Sequence, residues 1–134
     1  MNARNASMPT IKPFSEIKIE DIPLVGGKNA SLGEMYSSLS AKGIKVPEGF
    51  AVAANGYWKF LEENKLETVI RDLLAGLNVK TFDNLPQIAL QIRTKILEAH
   101  FPKSLEHEIT QAYRLLIAHA GAEKTIAIRS SATA

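Results

Sequence analysis

The sequence predicts a helix-rich α/β (α+β) domain with four or five helices and two or three short strands. Three observations carry this. Apolar residues recur at helical spacing in separate stretches between residues 30 and 119, and two short runs, 49–54 and 125–129, have strand character. Glycine, proline and asparagine stand between these stretches as stop and start signals.

Residues 1–10 are rich in Asn, Ser and Ala and read as the start of a flexible leader. That leader is expected to run to residue 13, with the domain spanning 14–134. Phe14 to Val25 is an irregular approach, apolar at Phe14, Ile17, Ile19, Ile22 and Leu24 and interrupted by Pro23. From Ala30 to Lys42, Leu32, Met35, Tyr36 and Leu39 fall on one helical face, and Gly43 supplies the stop.

Gly49 to Ala54 follows Pro47 as a short buried strand, and Asn55 then offers an N-cap for a helix through Tyr57, Phe60 and Leu61. Leu66, Val69, Ile70, Leu73 and Leu74 repeat at helical spacing up to Gly76. Leu85, Ile88, Ala89, Ile92 and Ile96 do so from an Asn84-Leu85-Pro86 start. A further helix opens at Ser104 and runs to a stop near Gly121, after which Thr125 to Arg129 alternates as a strand. A strand so close to the last residue has few candidates to pair with, so the rest of its sheet is expected in sequence beyond Ala134.

Composition narrows the function classes. The chain has 134 residues, 46% hydrophobic and 22% charged, which suits one globular domain with a modest core. Its 16 Lys and Arg stand against 14 Asp and Glu, a net charge of +2 with no polybasic stripe, which argues against nucleic-acid binding. No run approaches the roughly 18 apolar residues of a membrane span, and Met1 to Thr10 are polar and lack the apolar core and cleavage pattern of a secretion signal. With no cysteine there is no disulfide framework and no thiolate ligand. These features together predict a cytoplasmic protein.

Two segments carry anion chemistry. Val25-Gly26-Gly27-Lys28-Asn29 places two glycines and a lysine before a helix, whose free N–H groups and positive dipole end favour an anion. It is not a Walker A loop, because Ile22 stands where that motif has glycine and Asn29 where it has Ser or Thr. A loop with a solvated lysine is the alternative. Ile128-Arg129-Ser130-Ser131 ends a strand in an arginine whose planar fork suits phosphate oxygens. A surface charge, followed by turn-forming serines, is the alternative there.

The three histidines, His100, His107 and His119, lie near helix ends or early in a helix and read as structural, and no His, Asp or Glu cluster has metal-ligand spacing. Tyr57, Trp58 and Phe60 read as packing residues rather than an adenine-stacking platform. Glu34 reads as a solvated carboxylate that favours the helix dipole.

Gly26 to Met35, Gly43-Ile44-Lys45-Val46-Pro47-Glu48-Gly49-Phe50 and Ile128-Arg129-Ser130-Ser131-Ala132-Thr133-Ala134 resemble the opening segment of the phosphoenolpyruvate synthase (pyruvate, water dikinase) family. That family is related to pyruvate phosphate dikinase. The resemblance runs from about Phe14 to the last residue and covers a small part of a family enzyme.

It implies a partial ATP-grasp subdomain in which Lys28 and Arg129 contact the ATP phosphates, supported by Gly26, Gly27, Ser130 and Ser131. Lys28 and Arg129 are therefore expected to converge. It also implies Mg2+ with the ATP, held by ligands further along the family sequence, and a phosphohistidine and a pyruvate site in other domains. The partners implied are ATP, bound weakly by this segment alone, and the remainder of the dikinase, with self-association through an unpaired strand edge. A non-enzymatic interaction module and a fragment of a rifampin-phosphotransferase-like enzyme are the alternative readings.

Overall fold

A computed structural model describes residues 9–120 and 125–133. Among these, five α-helices accompany one two-stranded antiparallel sheet, within the range the sequence predicts. Contacts divide the chain into two compact units. The described residues of Met1–Tyr57 and Lys103–Ala134 form one, and Trp58–Pro102 forms the other.

The first unit opens with strand β1, Ile11–Pro13, which pairs antiparallel with β2, Phe50–Val52, in the register Ile11 to Val52, Lys12 to Ala51 and Pro13 to Phe50. The last three residues of the expected leader are thus part of the sheet, while residues 1–8 lie outside the described residues. Pro13 is tolerated because it ends the strand of a two-stranded sheet, where no further partner requires its missing N–H. The ladder is continued by Ala53 N–H donating to Thr10 O at 2.8 Å and Phe14 N–H donating to Gly49 O at 2.9 Å.

Two 3-10 turns, Phe14–Glu16 and Ile19–Asp21, lead into helix α1, Ile22–Ser40. Lys12 and Asp21 form an ion pair at 2.6 Å between side chains that are mostly covered, and the Asp21 carboxylate also accepts from the Lys18 N–H at 2.8 Å. Glu34 is exposed, as expected, and also reaches back from α1 to accept from the Ile19 N–H at 3.1 Å. It fastens the approach segment to the helix.

Helix α1 starts earlier than its apolar periodicity suggests and is broken at Gly26, where φ is 79° and ψ is 159°. It ends in a paired-bond C-terminal turn: Gly43 N–H donates to Ser40 O at 3.0 Å and Ile44 N–H to Leu39 O at 3.1 Å, with Gly43 at φ 77°. The core of this unit gathers Ile17, Leu24, Val25, Ala30, Ala51 and Ala53, with Phe14 and Ile22 against it. Ile17 is its most enclosed large side chain, and α1 approaches it through Gly33, which has no side chain in the way. Helix α5, Lys103–Ala120, packs on β1 and buries Leu105.

Helix α2, Ala54–Glu63, begins in the first unit and ends in the second. Its start at Ala54 puts Asn55 in the first turn rather than at the cap. In the second unit α3, Leu66–Ala75, packs against α4, Leu85–Glu98, with Leu61, Leu66 and Ile88 buried. The intervening loop is tied by Asn84, whose side chain accepts from Asn78 N–H at 2.9 Å and donates to Gly76 O at 2.8 Å. Phe60 and Phe101 pack with ring centroids 6.3 Å apart and a 42° tilt, in keeping with a packing role for Phe60. Asn64 joins the end of α2 to His100 through bonds to both its backbone N–H and carbonyl.

Residues 125–133 form neither helix nor strand, which corrects the strand expected over Thr125 to Arg129. Alternation supplies a sheet face, but a strand is defined by its ladder, and no described segment pairs with this one. Ile126 and Ile128 are accordingly 42% and 95% exposed.

Candidate functional site

The two anion-directed segments meet in the first unit. Gly26 takes a backbone conformation open essentially to glycine alone, and this separates the Ile22–Val25 turn from the helix that carries Lys28. The buried Gly26 is covered by Ser131 and Ala132: a Cβ placed on it would lie 2.6 Å from the Ala132 carbonyl oxygen and closer still to the Ser131 hydroxyl. The glycine therefore serves both the turn and the close approach of the last residues.

From the next turn the exposed Lys28 extends its ammonium to the Ser130 carbonyl, 3.3 Å away and 102 positions along the chain. The Ser131 hydroxyl oxygen is buried and has no hydrogen-bond partner among the described residues. Arg129 and Ser130 are exposed at the edge of the same contact. Gly27 differs from Gly26, since nothing lies within 4 Å of a Cβ placed there. Its space is open towards solvent.

Asn29 is the residue the motif reading passed over. Its side-chain amide donates to the Val25 carbonyl at 2.8 Å, across the break at Gly26. The available signal was an asparagine four residues after Val25, able to bond back over an intervening glycine.

The chemistry of the assembled group is cationic and donor-rich. A lysine ammonium, an arginine one residue from the lysine's present acceptor, an unsatisfied buried hydroxyl and a glycine-lined helix start suit an anion with several oxygens. The His107 ring nitrogen Nε2 lies 2.9 Å from the Gln111 amide on one helix, and among the described residues no group of three or more His, Cys, Asp or Glu side chains gathers to hold a metal. Among those residues, too, no helix is long and apolar enough to cross a membrane.

The domain family described as pyruvate phosphate dikinase, AMP/ATP-binding domain, matches residues 22–134, from the first residue of α1 onward. Phosphoenolpyruvate synthase of Neisseria meningitidis is 45% identical over 122 residues, which are 90% of this chain and 15% of that protein. Those of Aquifex aeolicus and Helicobacter pylori are 44% and 43% identical, over 90% and 95% of this chain and 14% and 16% of theirs. The chain thus spans about 15% of the length of these relatives. Since the match takes in residues 22–134, most of the chain, the chain belongs to the family of the pyruvate phosphate dikinase AMP/ATP-binding domain.

Proposed function

We propose that this chain supplies part of the ATP-phosphate site of a phosphoenolpyruvate synthase, which converts ATP, pyruvate and water to AMP, phosphoenolpyruvate and phosphate. One observation carries the reading: Lys28 bonds to Ser130 across the fold, which brings the Gly26–Lys28 turn onto the segment containing Arg129 and Ser131.

Lys28 now donates to a neutral carbonyl in an exposed setting. A phosphate oxygen is a stronger acceptor for an ammonium, since charge-assisted bonds are roughly twice as strong as neutral ones. ATP would therefore draw Lys28 from Ser130. Arg129 adds two parallel donors for a second phosphate, Gly27 leaves room for the polyphosphate to approach the backbone, and Gly26, covered by Ser131 and Ala132, supports the site through its turn. The Ser131 hydroxyl, buried without an acceptor, fits a ligand that brings one, and Ser130 adds a second hydroxyl. In phosphoryl transfer such donors act by positioning the phosphates and neutralising charge as the leaving group departs.

Mg2+ accompanies the nucleotide in this reading and would spread the polyphosphate charge. The part of this chain in that reading is to hold phosphates, with the Mg2+ ligands supplied further along the family sequence. Pyruvate chemistry and the phosphohistidine belong to the remainder of the dikinase, its natural partner, in the cytoplasm. The 134 residues alone should give no pyruvate-dependent conversion of ATP to AMP.

Titration of the isotopically labelled chain with millimolar ATP, followed by NMR, tests the site. Amides of residues 26–29 and 129–132 should shift together, with an affinity weaker than micromolar because few contacts offset the cost of association. Lys28→Ala and Arg129→Ala should each weaken binding by about tenfold, the loss expected for one charged hydrogen bond. Shifts confined to other residues, or insensitivity to both substitutions, would refute the assignment.

A further inference from the structure

We propose that Asn29 is a positioning residue of the phosphate grip, holding the Gly26–Lys28 turn in the conformation that presents Lys28 to its ligand. The inference rests on the reading of this turn as an ATP-phosphate site. It adds a role for a side chain that does not have to touch the nucleotide.

The break at Gly26 creates the need. In an uninterrupted helix the Val25 carbonyl would be the acceptor for the backbone N–H of Asn29, four residues on. With Gly26 at φ 79° and ψ 159°, the chain between them leaves the helical path. The Asn29 carboxamide spans the break and donates to that same carbonyl at 2.8 Å. Val25 is 3% exposed, so water has little access to its carbonyl, and the Asn29 carboxamide is a donor that the break does not remove. The bond closes a ring of chain that contains Gly26, Gly27 and Lys28. The residue that fastens the ring is the immediate neighbour of the lysine.

The other anchors of the turn come from the far end of the chain. Ser131 and Ala132 cover Gly26, and Lys28 holds Ser130. Once ATP draws Lys28 away from Ser130, the Asn29 bond is a local constraint that remains on the turn. Binding energy is then not consumed in ordering it, which is the advantage of a preorganised site.

Helix α1 also suggests the variant that tests this. Ser38 bonds back to the Glu34 carbonyl four residues earlier at 2.6 Å in the unbroken part of the helix, which makes serine the small uncharged donor to place at position 29. Asn29→Ala removes the donor without adding charge near the phosphates and raises helix propensity, so a defect cannot be assigned to a poorer helix. Asn29→Ser restores a donor.

The experiment measures two quantities on the purified chain: the 13C shift of the Val25 carbonyl without ATP, and the ATP affinity by NMR titration. In Asn29→Ala the Val25 carbonyl shift should move and ATP affinity should fall about fivefold to tenfold, the equivalent of one lost hydrogen bond. In Asn29→Ser both should return together towards the parent values. Affinity that falls while the carbonyl shift stays put, or a moved carbonyl with unchanged affinity, would overturn the positioning role alone. A parent chain that shows no ATP-dependent shifts at residues 26–29 would overturn the site reading, and this role with it.

Discussion

Gly26 and Ser131 lie face to face, with no room between them for a side chain on the glycine, whereas Gly27 next to it borders open space. The two adjacent glycines should therefore respond in opposite ways to alanine. Gly26→Ala forces an L-residue into a conformation that costs of order 1–3 kcal/mol and also pushes Ser131 and Ala132 away. Gly27→Ala, within the helix, should be neutral or stabilise by roughly 0.5–1 kcal/mol. Amide chemical shifts give the readout: those of residues 130–133 should move in Gly26→Ala and stay near the parent values in Gly27→Ala. Equal shifts in the two variants would mean that the terminal segment does not depend on Gly26.

Gly33 performs a different task in the same helix. Its φ lies in the ordinary helical range, but a Cβ would sit 2.6 Å from Ile17 Cβ, inside the most enclosed part of the core. Gly33→Ala should lose about 1–3 kcal/mol by overpacking, even though alanine favours helix. Urea denaturation measures it. A gain in stability would show that α1 and Ile17 can separate at little cost.

What was legible in the sequence depended on range. Helices α3 and α4 follow apolar periodicity and their Gly76 and Asn84-Leu85-Pro86 signals almost to the residue, because those cues are local. Strand β1 was missed: three residues, one of them proline, have no readable period, and their pairing with Phe50–Val52 is a long-range event. Thr125 to Arg129 shows the converse, a strand pattern with no described partner. At the site, the resemblance pointed to Lys28, Arg129 and the glycines. Neither periodicity nor motif revealed that Gly26 breaks the helix or that Asn29 bridges the break, since both depend on backbone angles.

The Lys12 and Asp21 pair predicts a pH dependence. Burial tends to raise the Asp21 pKa, but the hydrogen bond from Lys12 and that from the Lys18 N–H, aided by both lysine charges, bring it below the ordinary carboxylate value. The folded state thus binds this proton less readily than the unfolded chain. The stabilisation is fully present above the unfolded pKa and is lost as pH falls through the folded one. Asp21→Asn should destabilise the protein at neutral pH and remove part of the acid-induced loss. Urea midpoints between pH 7 and the acid limit compare the two, and parallel profiles would show that Asp21 does not contribute to acid sensitivity.

The final prediction concerns residues 125–129. They have no ladder among the described residues, and Ile128 is 95% exposed beside a partly exposed Ile126, so backbone groups and apolar side chains are together available to another chain. Amides of 125–129 should exchange much faster than those of α4, whose helical bonds protect them. At high concentration the protein should self-associate through this segment. Ile128→Lys adds a charge where an incoming strand would pair and should shift the equilibrium towards monomer, while leaving helix content and the core around Ile17 unchanged. Sedimentation of both proteins over a range of concentrations decides the matter. A parent chain that stays monomeric at millimolar concentration, with 125–129 protected as well as α4, would require this segment to find its partner within the same 134 residues.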